Sequence, residues 1–198
     1  MKYDEILCRE YAGYAVEYGI AWGGPVVVFV KAGRGGSCFG FEDKYLKMAH
    51  LLKERWNCSV ICASNPAGAP ATVAEDGALL RELFPTADRV YAVGSSNGAY
   101  QVLELAKGNP NVKNLLTVNL PLMINTHKIK DALFELCTSD RRVFCVWGEC
   151  DPSAPYVRFI ENLHLQNCRT EILPRADHCF SDMTDAFVQL PNRLFELV

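Results

Sequence analysis

At 198 residues the chain is the size of one compact domain, and 49% hydrophobic with 22% charged residues excludes an intrinsically disordered sequence. Its 14 glycines and 10 prolines are scattered, which excludes collagen-like and low-complexity classes. Twenty basic against 23 acidic residues give a formal charge of −3 with no cationic block, so no nucleic-acid partner is expected.

No apolar run approaches the ~20 residues of a spanning helix, so no membrane partner is expected either. Two acids in Met1-Lys2-Tyr3-Asp4-Glu5 stand where a signal peptide carries its basic region, and a cytoplasmic location is expected. The nine cysteines are odd in number and contain no Cys-x-x-Cys pair. Reduced, mostly buried thiols account for them better than a disulfide scaffold or a zinc site.

In chain order, Ile6–Tyr11 and Tyr14–Trp22 flank Gly13 without a helix between them and predict an antiparallel hairpin at a sheet edge. Val26–Val30 is a continuous apolar run, the signature of a strand buried on both faces. Phe41–Trp56 has helical periodicity, Ser59–Ala63 is strand-like, and Ser64–Pro70 is a loop. Helix is expected over Val73–Leu83, strand over Arg89–Val93 and helix over Asn97–Ala106. The alternation continues with strand Val112–Asn119, helix His127–Cys137, strand Arg142–Trp147 and helix Tyr156–Leu165. Strand Arg169–Leu173 and helix Asp182–Leu197 close it. This order implies an α/β class: one domain over residues 1–198, with a mostly parallel central sheet, helices on both faces and an N-terminal antiparallel hairpin. Ligands in such sheets bind beyond the carboxyl ends of the strands.

One of those ends reads Gly94-Ser95-Ser96-Asn97-Gly98, a Gly-x-Ser-x-Gly between a strand and a helix. Two glycines permit a sharp turn that lifts the Ser96 hydroxyl above the helix N-terminus. A serine needs a base. Of the four histidines, His50 and His164 fall in helices, whereas His127 and His178 stand at the right end of the sheet. The base needs a carboxylate to set its tautomer. Asp151 follows the strand ending Val146-Trp147-Gly148; it also suits a helix cap, and Glu149 and Asp177 are close in sequence to the same loops.

The elbow Gly94–Gly98, the segment Trp147-Gly148-Glu149-Cys150-Asp151 and the segment Asp177-His178-Cys179-Phe180 together resemble the α/β-hydrolase superfamily over essentially the whole chain. The resemblance implies Ser96 as nucleophile, His178 as general base and Asp151 as its orienting acid. It further implies an oxyanion hole from the amide of Asn97 and an amide in the loop after the third strand. That loop departs from the common His-Gly pattern and reads Lys31-Ala32-Gly33-Arg34-Gly35-Gly36-Ser37. Aligning Gly33 with the family glycine assigns the second amide to Arg34, with Gly35 as the fallback, and places Gly33 and Gly35 against the substrate. Lys31 and Arg34 read as solvated rim charges, with attraction of an anionic substrate as the alternative. Leu122, Met123, Ile124 and Phe180 are either an apolar acyl pocket or packing. A thiol nucleophile at Cys38 or Cys150 is the minor reading. Pro121 to Arg142 leaves no room for a lid.

The expectation is therefore a lidless serine hydrolase acting on a small acyl ester or thioester, with neither metal nor organic cofactor. The rivals are a non-catalytic hydrolase-like binding module and a small peptidase or acyltransferase using the same residues.

Overall fold

A computed structural model describes residues 1–137 and 140–195. Eight strands, β1 (Glu5–Tyr11), β2 (Tyr14–Ala21), β3 (Gly24–Lys31), β4 (Cys58–Ala63), β5 (Val90–Ser95), β6 (Val112–Val118), β7 (Arg142–Gly148) and β8 (Cys168–Leu173), form one sheet in the order β1-β2-β4-β3-β5-β6-β7-β8. The β1–β2 and β2–β4 pairs are antiparallel and the other five are parallel. The helices are α1 (Lys44–Trp56), α2 (Val73–Leu83), α3 (Asn97–Gly108), α4 (Leu122–Cys137), α5 (Val157–Glu161) and α6 (Thr184–Leu194).

The period-2 alternation of strand side chains divides the core into two layers. In β3, Val27 and Phe29 pack with Leu79 of α2, Leu103 of α3 and Leu133 of α4. Val28 and Val30 pack on the opposite face with Met48 and Leu52 of α1 and Phe187 of α6. Burial on both faces is why Val26–Val30 reads as an unbroken apolar run.

Strand order reverses at β3, which pairs with β4 on one side and β5 on the other. The connections leaving β3 and β5 diverge there, opening a crevice at their adjacent ends, Lys31 and Gly94.

Several element boundaries depart from expectation. The first long helix starts at Lys44, because Glu42 and Asp43 have φ of 50° and 57° and interrupt a preceding 3-10 turn. The helix expected from His127 starts at Leu122, directly after Pro121, whose fixed φ suits a helix entrance. His127 therefore lies more than a turn inside the helix rather than at its start. The helix expected over Tyr156–Leu165 is a 3-10 turn followed by the five residues Val157–Glu161. In the last helix, expected over Asp182–Leu197, positions 196 and 197 lie outside the described residues. Only Asn119, Leu120 and Pro121 separate β6 from α4. No helix among the described residues is long and apolar enough to cross a membrane.

Lys31 is a correction to the rim-charge reading: its side chain is 0% exposed and paired with Asp76 of α2 at 3.0 Å. Its ammonium also donates to the Ser64 carbonyl at 3.0 Å and to the Thr72 hydroxyl at 2.6 Å. Each of its three protons thus has an acceptor.

Candidate active site

At the crevice between β3 and β5, Ser96 has φ 53° and ψ −123°, a conformation L-residues rarely adopt. The flanking glycines make it possible. A Cβ on Gly94 would lie 2.4 Å from the Gly98 carbonyl oxygen, and one on Gly98 2.3 Å from that of Ala32. The turn therefore sits in backbone contact with both the helix it opens and the loop after β3.

The loops after β7 and β8 are locked together by backbone. The Cys150 amide donates to the Ala176 carbonyl at 2.9 Å, and a Cβ on Gly148 would meet that carbonyl oxygen at 2.4 Å. Their approach brings His178 Nδ1 within 2.5 Å of Asp151 Oδ2. Asp151 is buried, and its other oxygen accepts the Ser153 amide at 2.7 Å. With Nδ1 turned to a carboxylate, it carries the proton in neutral imidazole, leaving Nε2 as the acceptor. The rival carboxylates are engaged elsewhere. Glu149 accepts the Arg175 amide at 2.8 Å and Asp177 the Ser181 amide at 2.8 Å. His127 lies on α4, outside this arrangement.

Ser96, His178, Gly33 and Arg34 face one cleft of about 200 Å³. Gly33 lies against the serine, its Cβ position 3.2 Å from Ser96 Cβ. Two amides are candidates to hold an oxyanion. Asn97 is the first residue of α3, where an amide has no intrahelical acceptor. In the loop after β3, the Gly35 amide is taken by the Asn65 carbonyl at 2.7 Å and the Gly36 amide by the Gly33 carbonyl at 2.9 Å. That removes Gly35 as a fallback donor, and no hydrogen bond occupies the Arg34 amide among the described residues.

The apolar pocket expected from Leu122 and Phe180 is not there. Leu122 is buried in the layer under α4, and Phe180 is fully buried edge-on against Phe187 at 5.3 Å between ring centres. Met123 is exposed on α4 and does not line the cleft. Both apolar side chains meet core rather than ligand because their elements approach the sheet from its two faces. Cys38 is buried, and burial pushes its thiol up to about 11, which does not suit a nucleophile.

Instead the walls include Phe41, Tyr45 and Lys44, none singled out by sequence reasoning. Burial pushes the Tyr45 phenol up to about 12, opposed by hydrogen bonds from Ser95 and the Gly33 amide. Lys44 is buried, and its Nζ donates to the Cys179 carbonyl at 2.9 Å and lies 4.2 Å from the Phe187 ring centre. A signal for its burial exists: Lys44, Met48 and Leu52 recur at the four-residue spacing of one helix face. Two asparagines also escaped notice. Asn119 accepts the Gly148 amide at 2.8 Å and donates to the His178 carbonyl at 2.9 Å, tying three loops together. Asn65 donates to Asn97 Oδ1 at 3.0 Å, and Gln101 donates to the same oxygen at 2.8 Å, fixing the residue after the serine.

The hydrogen bond to the Asp151 carboxylate raises the His178 pKa above its ordinary 6.5, and burial opposes it. A base must be unprotonated, so the acid limb of kcat/KM is expected to have its midpoint above pH 6.5; a midpoint below it would contradict this coupling. The linkage to stability has the opposite sense. A raised histidine stabilises the fold fully below about pH 6.5, and that contribution is lost as pH rises through the folded-state value.

No family model and no curated protein matches the sequence. Solved structures do resemble this one. Est1E from Butyrivibrio proteoclasticus is 13% identical with a TM-score of 0.66, over 95% of this chain and 98% of that one. A dienelactone hydrolase from Anabaena variabilis is 15% identical with a TM-score of 0.71, over 96% and 95%. The thioesterase domain from the curacin biosynthetic pathway is 13% identical with a TM-score of 0.65, over 94% and 98%. End-to-end coverage of both partners, on a sheet whose order reverses beside a strained serine, establishes that the chain has the α/β-hydrolase fold.

Proposed function

We propose that the protein is a serine hydrolase that cleaves a short acyl ester or thioester through an acyl-Ser96 intermediate. Ser96 Oγ attacks the carbonyl carbon and gives its proton to His178 Nε2. The Asn97 and Arg34 amides hold the oxyanion as the C–O or C–S bond to the leaving group breaks, and His178 returns the proton to that group. Water then enters by the same base, its oxygen joining the acyl carbon and its proton returning to Ser96 through His178.

The observation that carries this reading is the His178–Asp151 contact at 2.5 Å beside a serine held at φ 53° in the same cleft. The small cleft, with no inserted segment between β6 and α4, favours short acyl groups. The similar structures, the dienelactone hydrolase and the thioesterase domain among them, support hydrolysis as the reaction class.

Labelling with a fluorophosphonate tests it without knowledge of the substrate. Wild-type protein is expected to label and Ser96→Ala not to. Folded wild-type protein that stays unlabelled would favour a non-catalytic binding module.

A further inference from the structure

The cleft around Ser96 is lined by two cations, Lys44 and Arg34, neither in ion-pair contact with a carboxylate among the described residues. Lys44 is 4% exposed, and its ammonium has one hydrogen-bond acceptor among the described residues, the Cys179 carbonyl, and lies near the Tyr45 and Phe187 rings. Among the described residues no carboxylate lies within ion-pair distance of it. Asp177 favours the ammonium only from beyond ion-pair distance and accepts the Ser181 amide, while Glu42 accepts the Thr184 hydroxyl at 2.7 Å. Arg34 stands exposed at the mouth of the cleft, and its guanidinium has no hydrogen-bond or ion-pair partner among the described residues.

A buried cation without a counter-charge in contact is costly, and burial lowers the Lys44 pKa, opposed more weakly by Cys179 and Asp177. Lys31, by contrast, is equally buried and fully paired.

We propose that the substrate carries a carboxylate within a few bonds of the scissile carbonyl, bound by the buried Lys44 ammonium and the Arg34 guanidinium in the Ser96 cleft. The simplest such molecule is the half-ester or half-thioester of a short dicarboxylic acid, hydrolysed by one water to the dicarboxylate and an alcohol or thiol. This assignment rests on the serine-hydrolase reading for its chemistry, and on the two cations for its class.

Monoethyl succinate and ethyl butyrate, an anion and a neutral ester of equal acyl length, separate the possibilities. In wild-type protein, followed by pH-stat, kcat/KM is expected to favour the anion by at least about tenfold, the lower range for a hydrogen bond to a charged group. Lys44→Met is expected to reduce that ratio by a similar factor, and Arg34→Gln to reduce it less. Should Lys44→Met not fold, Arg34→Gln at its exposed position carries the comparison. A wild-type ratio near one, or a ratio unmoved in the folded variants, overturns the proposal. Calorimetric titration of both esters into Ser96→Ala keeps the two readings distinct. A binding preference for the anion without wild-type turnover sustains the charged cleft and sinks the hydrolase, whereas turnover of both esters at equal rates does the reverse.

Discussion

Replacing Asp151 by asparagine is expected to lower kcat by about 10⁴-fold while the protein stays folded, the loss that a neutral amide causes in a serine–histidine–aspartate set. The reason is a tautomer. Asp151 Oδ2 stands 2.5 Å from His178 Nδ1 and holds the proton there, so that Nε2 has its lone pair free for the serine. An asparagine that presents its NH₂ to Nδ1 moves the proton to Nε2 and removes the base. The carboxylate also favours the protonated imidazole, raising the His178 pKa, and in the proposed mechanism that is the form produced as Ser96 attacks. Glu149→Gln and Asp177→Asn are expected to cost far less turnover, because those carboxylates accept the Arg175 and Ser181 amides and shape turns. Steady-state kinetics of the three variants, with melting curves as the folding control, decide the assignment. A Glu149→Gln enzyme as damaged as Ser96→Ala, beside an active Asp151→Asn, would reassign the acid.

The parts of this site that were legible in sequence are those whose chemistry is written locally. The elbow needs glycine at positions 94 and 98 because backbone approaches within 2.4 Å and 2.3 Å of where a Cβ would stand, and that demand leaves a five-residue pattern. Asp151 follows β7, whose burial on both faces announces itself as the apolar run Val143–Trp147, whereas His178 follows the half-buried edge strand β8. Side chains whose surroundings come from distant elements were not legible. Leu122 and Phe180 have the composition of a pocket, and only the packing of α4 and α6 decides that they are core. His127 lies inside α4 and not at its sheet-proximal start, because the helix begins five residues earlier, at the entrance set by Pro121. Lys44 sits on the buried stripe of α1, where its charge masked the periodicity.

Lys31 is the sharpest instance of a long-range partner, and it leads to a large expected effect on stability. It ends an apolar strand, and its counter-ion lies 45 residues away on α2. Tyr18 and Thr72 donate to the same carboxylate at 2.9 Å and 3.0 Å. Burial raises the Asp76 pKa and lowers that of Lys31, so desolvation opposes both charges and the pair stabilises little against an apolar replacement. Its removal by halves is another matter. Lys31→Met leaves a carboxylate buried without its cation and is expected to cost about 3–5 kcal/mol in urea unfolding, as breaking one side of a buried pair does. The double variant Lys31→Met with Asp76→Leu removes both charges and is expected to lose less than Lys31→Met alone. A double variant at least as unstable as Lys31→Met would show the pair to be a net source of stability instead. The same lysine holds the Ser64 carbonyl, one residue before Asn65, whose own backbone brackets the glycine loop by accepting from Gly35 and donating to Gly36. Loss of the pair is therefore expected to loosen the loop that carries the Arg34 amide, so kcat should fall in Lys31→Met even where the protein remains folded.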